Sequence, residues 1–185
     1  NAMQVSKCRA FPMGETLLGN LPIFHSFGFT VSIWCPMLYG VRTVYTPSPL
    51  DFKGAVNAIR EEKCGILLGT PTFYRPYLTR VDPADLASAK VVIAGAEKTP
   101  KGFHEAWQER FPNCAFLEGY GLTETTPVVA VNEPDIISDN PDEAVVGRRA
   151  GSVGRLFPGM AARIRNPDTY ELQPVNQTGI VEFKG

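Results

Sequence analysis

The chain has 185 residues, of which 44% are hydrophobic and 20% are charged, a composition typical of a soluble globular protein. Its net charge of −1 gives no electrostatic reason to expect binding to nucleic acid or to an anionic membrane surface. The four cysteines are widely spaced and no histidine clusters with them, which argues against a zinc site and favours reduced thiols in the cytoplasm.

The N-terminal part of the chain raises the question of a membrane span. Residues 1–3 resemble a cloning remnant and are set apart from the domains. From Thr16 to Val41 there is no charged residue, and this length could cross a bilayer. Because prolines, glycines and polar residues interrupt the segment, we predict instead a buried strand over residues 17–23 and a buried helix over residues 27–40.

Strands and helices then alternate. A short strand over residues 41–46 precedes an amphipathic helix over residues 51–63, for which Asp51 is the expected N-cap. A second amphipathic helix is predicted to begin with Thr99 as its cap and Pro100 at its first position. Continuous apolar strands are predicted over residues 65–70, 91–97 and 114–121.

This alternation predicts an α/β fold in which helices cover a parallel sheet, and ligands of such folds bind at the carboxyl ends of the strands. We assign the α/β core to residues 4–131. Residues 132–150 are rich in Pro, Asp and Asn without a clear period, which predicts a flexible loop. Residues 151–185 alternate as short strands do, with a turn at "NPDT", and form a β-rich segment.

The stretch "EGYGLTETTP" has the residue types of a nucleotide site. Gly119 and Gly121 let the backbone approach a flat ligand, and Tyr120 can stack on a base. The Thr123 hydroxyl can donate to a phosphate oxygen, and the Glu124 carboxylate can hold Mg²⁺. Taken alone, the stretch is more typical of a polar turn between strands.

Two further stretches could carry chemistry. In "AGAEKTP", Gly95 and Ala96 are small residues at a strand end, where a planar ring could lie against the backbone or where the chain simply turns. In "LPIFHSFGF", His25 stands between Phe24 and Phe27. It could gate an apolar pocket or polarise a carboxylate, and the alternative is a buried histidine with a satisfied hydrogen bond.

In order and spacing, these stretches together resemble the ANL adenylating superfamily, and the resemblance covers nearly the whole chain. The matching stretches are "LPIFHSFGF", "GTPTFYR", "VVIAGAEKTP", "EGYGLTET", "GSVGRLFPG" and "GIVEFKG". Within the superfamily the chain looks most like the acyl-[acyl carrier protein] synthetase part of bifunctional 2-acylglycerophosphoethanolamine acyltransferases.

The resemblance implies a reaction in two steps. A fatty acid carboxylate attacks the α-phosphate of ATP with the help of Mg²⁺, giving an acyl-adenylate and pyrophosphate. The thiol of acyl carrier protein then displaces AMP, and the acyl group passes to a lysophospholipid. The implied location is the cytoplasm, with the full-length protein at the cytoplasmic face of the inner membrane. A long-chain acyl-CoA synthetase, with CoA as the thiol, and a non-catalytic nucleotide-binding or interaction module are the alternatives.

The same resemblance implies three groups of site residues. Those that would contact the nucleotide are Gly95, Ala96, Glu97, Glu118, Gly119, Tyr120, Gly121 and Thr123. Those that would line the acyl pocket are His25, Phe27, Thr70, Pro71 and Phe73. The implied catalytic residues are Thr123, Glu124 and His25, with Glu124 as the ligand of Mg²⁺.

Two departures from the family pattern affect the expected activity. No Ser/Thr/Gly-rich phosphate loop with a lysine precedes "LPIFH". The family also continues beyond the "EFKG" stretch to a ribose-binding aspartate and to a small domain with the catalytic lysine. We therefore expect this chain to be a central fragment of a ligase and to be inactive by itself.

Overall fold

A computed structural model describes all residues, 1–185. The chain divides into two compact units, Asn1–Arg155 and Leu156–Gly185. Residues 1–3 are ordered within the first unit, where the Asn1 side-chain amide donates to the Val128 carbonyl at 2.7 Å. The finer division made from the sequence stays a prediction.

The elements follow one another in short succession. The strands are β1 (Thr16–Gly19), β2 (Thr43–Tyr45), β3 (Cys64–Gly69), β4 (Val91–Ala94), β5 (Ala115–Gly121), β6 (Val128–Val131), β7 (Arg155–Leu156), β8 (Ala161–Arg165) and β9 (Ile180–Lys184). The α-helices are α1 (Ala2–Lys7), α2 (Ser26–Gly28), α3 (Cys35–Tyr39), α4 (Phe52–Glu62), α5 (Pro71–Tyr74), α6 (Tyr77–Arg80) and α7 (Phe103–Arg110). A π-helical segment (Phe29–Trp34) joins α2 to α3, and 3₁₀ turns lie at Pro83–Leu86 and Thr123–Thr125.

The main sheet confirms the predicted α/β class. Its strand order is β2-β1-β3-β4-β5-β6-β7. The pairs from β2 to β5 are all parallel, whereas β6 runs antiparallel to β5. Every residue of β3 and β4 is buried, as expected for strands covered on both faces. Strand β6 was missed from the sequence, because its short apolar run follows a proline and precedes an irregular polar stretch.

Helix α4 forms as its sequence predicts. The Asp51 carboxylate accepts a hydrogen bond from the Gly54 N–H at 3.0 Å, which confirms the N-cap. Ala55, Val56 and Ile59 are buried, so the apolar face of the helix packs against the core. Lys63 ends the helix in the left-handed conformation, with φ of 52°.

Helix α7 corrects the prediction for its start. The helix begins at Phe103 after Gly102, whose φ is 81°, and not at Thr99 or Pro100. The Thr99 hydroxyl is buried without a hydrogen-bond partner, so it caps nothing. From this helix the fully buried Trp107 packs edge-to-face on the ring of Tyr74, and its indole N–H donates to the Cys114 carbonyl at 2.9 Å.

The uncharged segment folds as a strand, a loop and a helix. The strand ends at Gly19, earlier than the predicted residue 23, and the helical stretch from Ser26 to Tyr39 contains the π-helical segment. Gly40, with φ of 68°, ends the helix. None of the helices combines the length and the apolar character needed to span a bilayer.

The second unit is an antiparallel hairpin. Strand β8 pairs with β9, and the Glu182 carboxylate accepts hydrogen bonds from the side chains of Arg163 and Arg165. The predicted turn lies between the strands, where Asn166 Oδ1 accepts from the Asp168 N–H at 2.8 Å.

Candidate active site

A cleft of about 300 Å³ opens at the carboxyl ends of β4 and β5. Its wall comes from residues 25–27, from residues 93–96 and from the end of β5, the connection to β6 and the first residue of β6, at residues 119–124 and 127–128. The parallel sheet explains this gathering, because the turns that follow neighbouring parallel strands emerge at the same edge. Three stretches that are far apart in the sequence therefore meet in one cleft.

The glycines of the cleft allow strands to pack closely. A Cβ atom at Gly95 would lie 3.3 Å from the Gly119 carbonyl oxygen, and one at Gly121 would lie only 1.9 Å from the Pro127 carbonyl oxygen. Because an L side chain at Gly121 would collide with backbone, this glycine is required by the fold itself. At Gly95 and Gly121 the cleft is therefore lined by backbone without a side chain.

Thr123 and Glu124 lie in the exposed 3₁₀ turn that follows β5. The hydroxyl of Thr125 holds this turn: it accepts from the Leu122 N–H at 3.0 Å and donates to the Pro127 carbonyl at 2.7 Å. Thr125 was not among the predicted site residues, although its place in "TETTP" was a visible signal. The turn thus presents a hydroxyl and a carboxylate at the rim of the cleft.

Ser26 links the histidine loop to this turn. Its hydroxyl lies 3.2 Å from the hydroxyl of Thr123, and either can be the donor. Sequence reasoning missed Ser26, which directly follows His25 in "FHSFG". His25 thus lies in the same cleft as Thr123 and Glu124, although about a hundred positions separate it from them in the chain.

His25 has a defined ring orientation. Its Nδ1 accepts a hydrogen bond from the Phe27 N–H at 3.2 Å, so the neutral ring carries its proton on Nε2. The side chain of Phe27 is buried on the cleft side, whereas Phe24 is 91% exposed and does not flank the cleft. Of the two phenylalanines that flank His25 in the sequence, only Phe27 therefore contributes to the cleft wall.

Glu124 is a solitary carboxylate. It makes no hydrogen bond or ion pair with the rest of the chain, and no group of three or more His, Cys, Asp or Glu side chains could hold a metal ion. A metal site made of protein ligands alone does not fit this arrangement. Mg²⁺ held by one carboxylate together with phosphate oxygens and water does fit it, since this is how the ion commonly binds with nucleotides.

Glu97 and Glu118 do not line the cleft. The Glu97 carboxylate accepts from the Thr72 N–H at 2.5 Å. Although partial burial raises the pKa of Glu97, hydrogen bonds from Thr72 and Thr70 hold that pKa below its ordinary value of 4.5. Glu118 Oε2 lies 2.8 Å from Nε2 of His104, and this pair is largely buried. Both carboxylates are thus engaged by partners within the chain.

Thr70, Pro71 and Phe73 lie in the turn that follows β3 and are not part of the cleft wall. The Thr70 hydroxyl accepts from the Phe73 N–H at 3.4 Å and caps α5. Pro71 is buried and Phe73 is partly buried. Their implied role in an acyl pocket stays a prediction.

A buried asparagine connects the cleft strand to the segment beyond β6. Asn132 is 3% exposed, and its side-chain amide donates to the carbonyls of Glu118, at 3.1 Å, and Ser152. Its Oδ1 accepts from the Arg149 N–H at 2.9 Å. All polar atoms of this side chain are satisfied, so it rigidly joins three segments. Sequence reasoning missed Asn132 because its spacing carries no signal.

The fold and the cleft define an α/β protein with a cleft at the carboxyl ends of its parallel strands, and comparison with known proteins identifies the family. The model of the AMP-binding enzyme family matches residues 1–185. The chain therefore belongs to the AMP-binding enzymes of the ANL superfamily, which confirms the resemblance seen in its motifs.

Relatives and solved structures agree with this assignment. The 4-coumarate–CoA ligase-like 4 of Oryza sativa subsp. japonica is 30% identical over 171 residues, covering 92% of this chain and 29% of the rice protein. The acyl-CoA ligase SID4 of Ajellomyces capsulatus is 30% identical over 167 residues, covering 89% of this chain and 27% of that protein. The crystal structure of ATP-bound MatB from Rhodopseudomonas palustris matches with a TM-score of 0.82 and 25% identity, covering 100% of this chain and 34% of that one.

The chain thus corresponds to part of an AMP-binding enzyme. It spans less than a third of the length of these curated relatives, 29% and 27%.

Proposed function

We propose that this chain provides the adenylate-binding cleft of an AMP-forming ligase that activates a fatty acid with ATP. The observation that carries the proposal is the convergence of a wall of small residues, an aromatic ring and a rim of hydroxyl and carboxylate groups in one cleft. The wall is formed by Gly95 and Ala96, and the ring belongs to Tyr120. A planar base fits between a flat wall and an aromatic side chain.

The rim residues have the chemistry that the first step needs. The attack of a carboxylate on the α-phosphate brings two anions together, so donors must be held ready where negative charge develops. The Thr123 hydroxyl can donate to a phosphate oxygen while the Ser26 hydroxyl, 3.2 Å away, fixes its position. The Nε2–H of His25 is free of partners in the chain and can donate to the substrate carboxylate.

The cofactor of this reaction would be Mg²⁺. Glu124 would hold the ion, since its carboxylate lies in the cleft wall without a partner. When bound, the ion neutralises charge on the phosphate oxygens. Within the chain, Thr125 fixes the turn so that the Glu124 side chain stays at the rim.

For the second step we propose that the thiol of acyl carrier protein accepts the acyl group and that the acyl group is then transferred to a lysophospholipid. The support for this acceptor is the resemblance of the motifs to those of acyl-[acyl carrier protein] synthetases. A second candidate, CoA, is favoured by the names of the relatives, which include an acyl-CoA ligase. Thioester formation by the full-length ligase, assayed in parallel with each thiol, decides between them.

We also propose a cytoplasmic location, with the full-length protein at the cytoplasmic face of the inner membrane. The supporting observation is that all four cysteines are free and that Cys35, Cys64 and Cys114 are buried. Cell fractionation should find the protein with the cytoplasm or with the inner membrane. Recovery from an oxidising compartment would contradict the proposal.

The experiment that tests the function is fatty-acid-dependent exchange of pyrophosphate into ATP by the full-length ligase. We expect exchange in the wild type and a loss of about 10²-fold or more in Thr123→Ala and Glu124→Ala, because each removes a group that acts on the developing charge. Thr79→Ala and Glu105→Ala are matched controls, since both residues are exposed and lie outside the cleft. A folded, Mg²⁺-supplied protein without exchange across acyl chain lengths would favour a non-catalytic binding module.

A further inference from the structure

The carboxylate of Glu97 is tied to a neighbouring loop instead of facing the cleft. Glu97 directly follows Gly95 and Ala96, which line the cleft. Its side chain accepts the Thr72 N–H at 2.5 Å, and the hydroxyls of Thr72 and Thr70 also donate to it. Three donors from one turn therefore hold a single carboxylate.

The hydrogen bond between Glu97 and Thr72 joins two loops that leave the sheet side by side. Strands β3 and β4 are parallel, and Gly69 pairs with Ala94 at their ends. The Gly95 N–H still donates to the Gly69 carbonyl at 3.1 Å, but the loops then diverge. One continues into α5, and the other forms the cleft wall. Glu97 thus extends the pairing of the two strands beyond their ends.

Ala96 lies between the Gly95–Gly69 hydrogen bond and the Glu97–Thr72 hydrogen bond, and its backbone conformation is unfavourable. Ala96 has φ of 66°, in the left-handed region that residues with a Cβ rarely adopt. Such a conformation persists only where the surroundings impose it. Ala96 is bracketed by the Gly95 hydrogen bond on one side and the Glu97 tie on the other, so these two contacts hold it in place.

We propose that Glu97 is a positioning residue that fixes the nucleotide-facing wall at Gly95 and Ala96 by anchoring it to the Thr70–Thr72 turn. This inference rests on the proposed function, since it takes the ligand of the wall to be ATP. It assigns Glu97 a different role from the nucleotide contact that the family resemblance implied. The low pKa of the Glu97 carboxyl is consistent with an anchored carboxylate.

Two substitutions in the full-length ligase separate anchoring from direct contact. Glu97→Ala removes the tie, and we expect the KM for ATP to rise about fivefold with a smaller change in kcat, as for loss of a charge-assisted hydrogen bond near the surface. Glu97→Gln keeps an oxygen that accepts the Thr72 N–H, and it should stay within about twofold of the wild type. Glu105→Ala is the matched control, since this glutamate is exposed and lies outside the cleft wall.

Hydrogen exchange supplies a readout that does not depend on activity. In Glu97→Ala the amide of Thr72 loses its acceptor, so its exchange should accelerate, while Glu97→Gln should retain protection. A wild-type protein without pyrophosphate exchange would count against the proposed function and leave this amide test in force. The inference is overturned if Thr72 protection is unchanged in Glu97→Ala. It is also overturned if Glu97→Gln raises the KM for ATP as much as Glu97→Ala, because the charge would then act on the ligand itself.

Discussion

Replacing Gly121 by alanine is expected to damage both the stability of the chain and the cleft. The added methyl carbon would lie 1.9 Å from the Pro127 carbonyl oxygen. This is about 1.4 Å closer than an ordinary C···O contact, so the backbone must move. The same carbonyl accepts the Leu122 N–H at 2.9 Å and the Thr125 hydroxyl at 2.7 Å, so moving it disturbs the turn that carries Thr123.

The magnitude follows from two costs. Overpacking of this kind destabilises by about 1–3 kcal/mol, and a weakened hydrogen bond adds about 1 kcal/mol. We therefore expect the free energy of unfolding of Gly121→Ala to fall by about 3 kcal/mol, which corresponds to a Tm lower by roughly 6–12 °C for a chain of this size. The affinity for ATP should fall as well, because the rim of the cleft is displaced.

Calorimetry and ATP titration of wild type and variant measure the two effects. Gly102→Ala is the control, since its φ of 81° is strained for alanine but a Cβ there meets nothing within 4 Å. That substitution should cost only about 1 kcal/mol and leave ATP binding intact. The reasoning is refuted if Gly121→Ala is no more destabilising than Gly102→Ala and binds ATP normally.

Three other outcomes are expected. Trp107→Ala should lower the free energy of unfolding in urea by about 3–5 kcal/mol, because a fully buried ring and the donor to the Cys114 carbonyl are lost; a loss under about 1 kcal/mol would contradict this. The loss in free energy of unfolding caused by Asp135→Asn should become smaller as the pH falls. Although burial raises the pKa of Asp135, backbone N–H groups and the Arg148 guanidinium hold it below 3.8, so its contribution is present above that value and disappears in acid. Urea melts of both proteins above and below pH 3.8 measure the difference in their free energies of unfolding. A difference that grows on acidification would contradict the prediction. Burial raises the pKa of Cys35 to about 12, so timed thiol labelling should require unfolding, and fast labelling of the native chain would argue otherwise.

Local signals in the sequence identified the parts of the fold that depend on local physics. The apolar runs of β3 and β4 and the cap at Asp51 were predicted because burial on both faces and N-capping are written in adjacent residues. The start of α7 was not predicted correctly. The Thr99–Pro100 signal is a good one locally, but the chain turns at Gly102 and buries the Thr99 hydroxyl instead. Tertiary packing outweighed the local preference.

Local sequence signals also place the backbone of the site better than its side chains. The backbone positions of Gly95 and Tyr120 in the cleft follow from strand ends, which periodicity can locate. The directions of the Glu97 and Glu118 side chains do not, because their partners are Thr72 and His104, separated from them by 25 and 14 positions. Motif order places such residues near a site without saying which way each side chain turns.

The reversal of strand direction between β5 and β6 has a consequence for how this protein can vary. An antiparallel neighbour can follow through a short connection, whereas a parallel one needs a crossover of a dozen residues or more. Residues 122–127, which carry Thr123 and Glu124, are therefore a hairpin link whose ends are pinned on both sides. Insertions there would separate the Thr123 hydroxyl from the ring of Tyr120. Thr123 and Glu124 can therefore keep their places in the cleft wall only if this connection keeps its length.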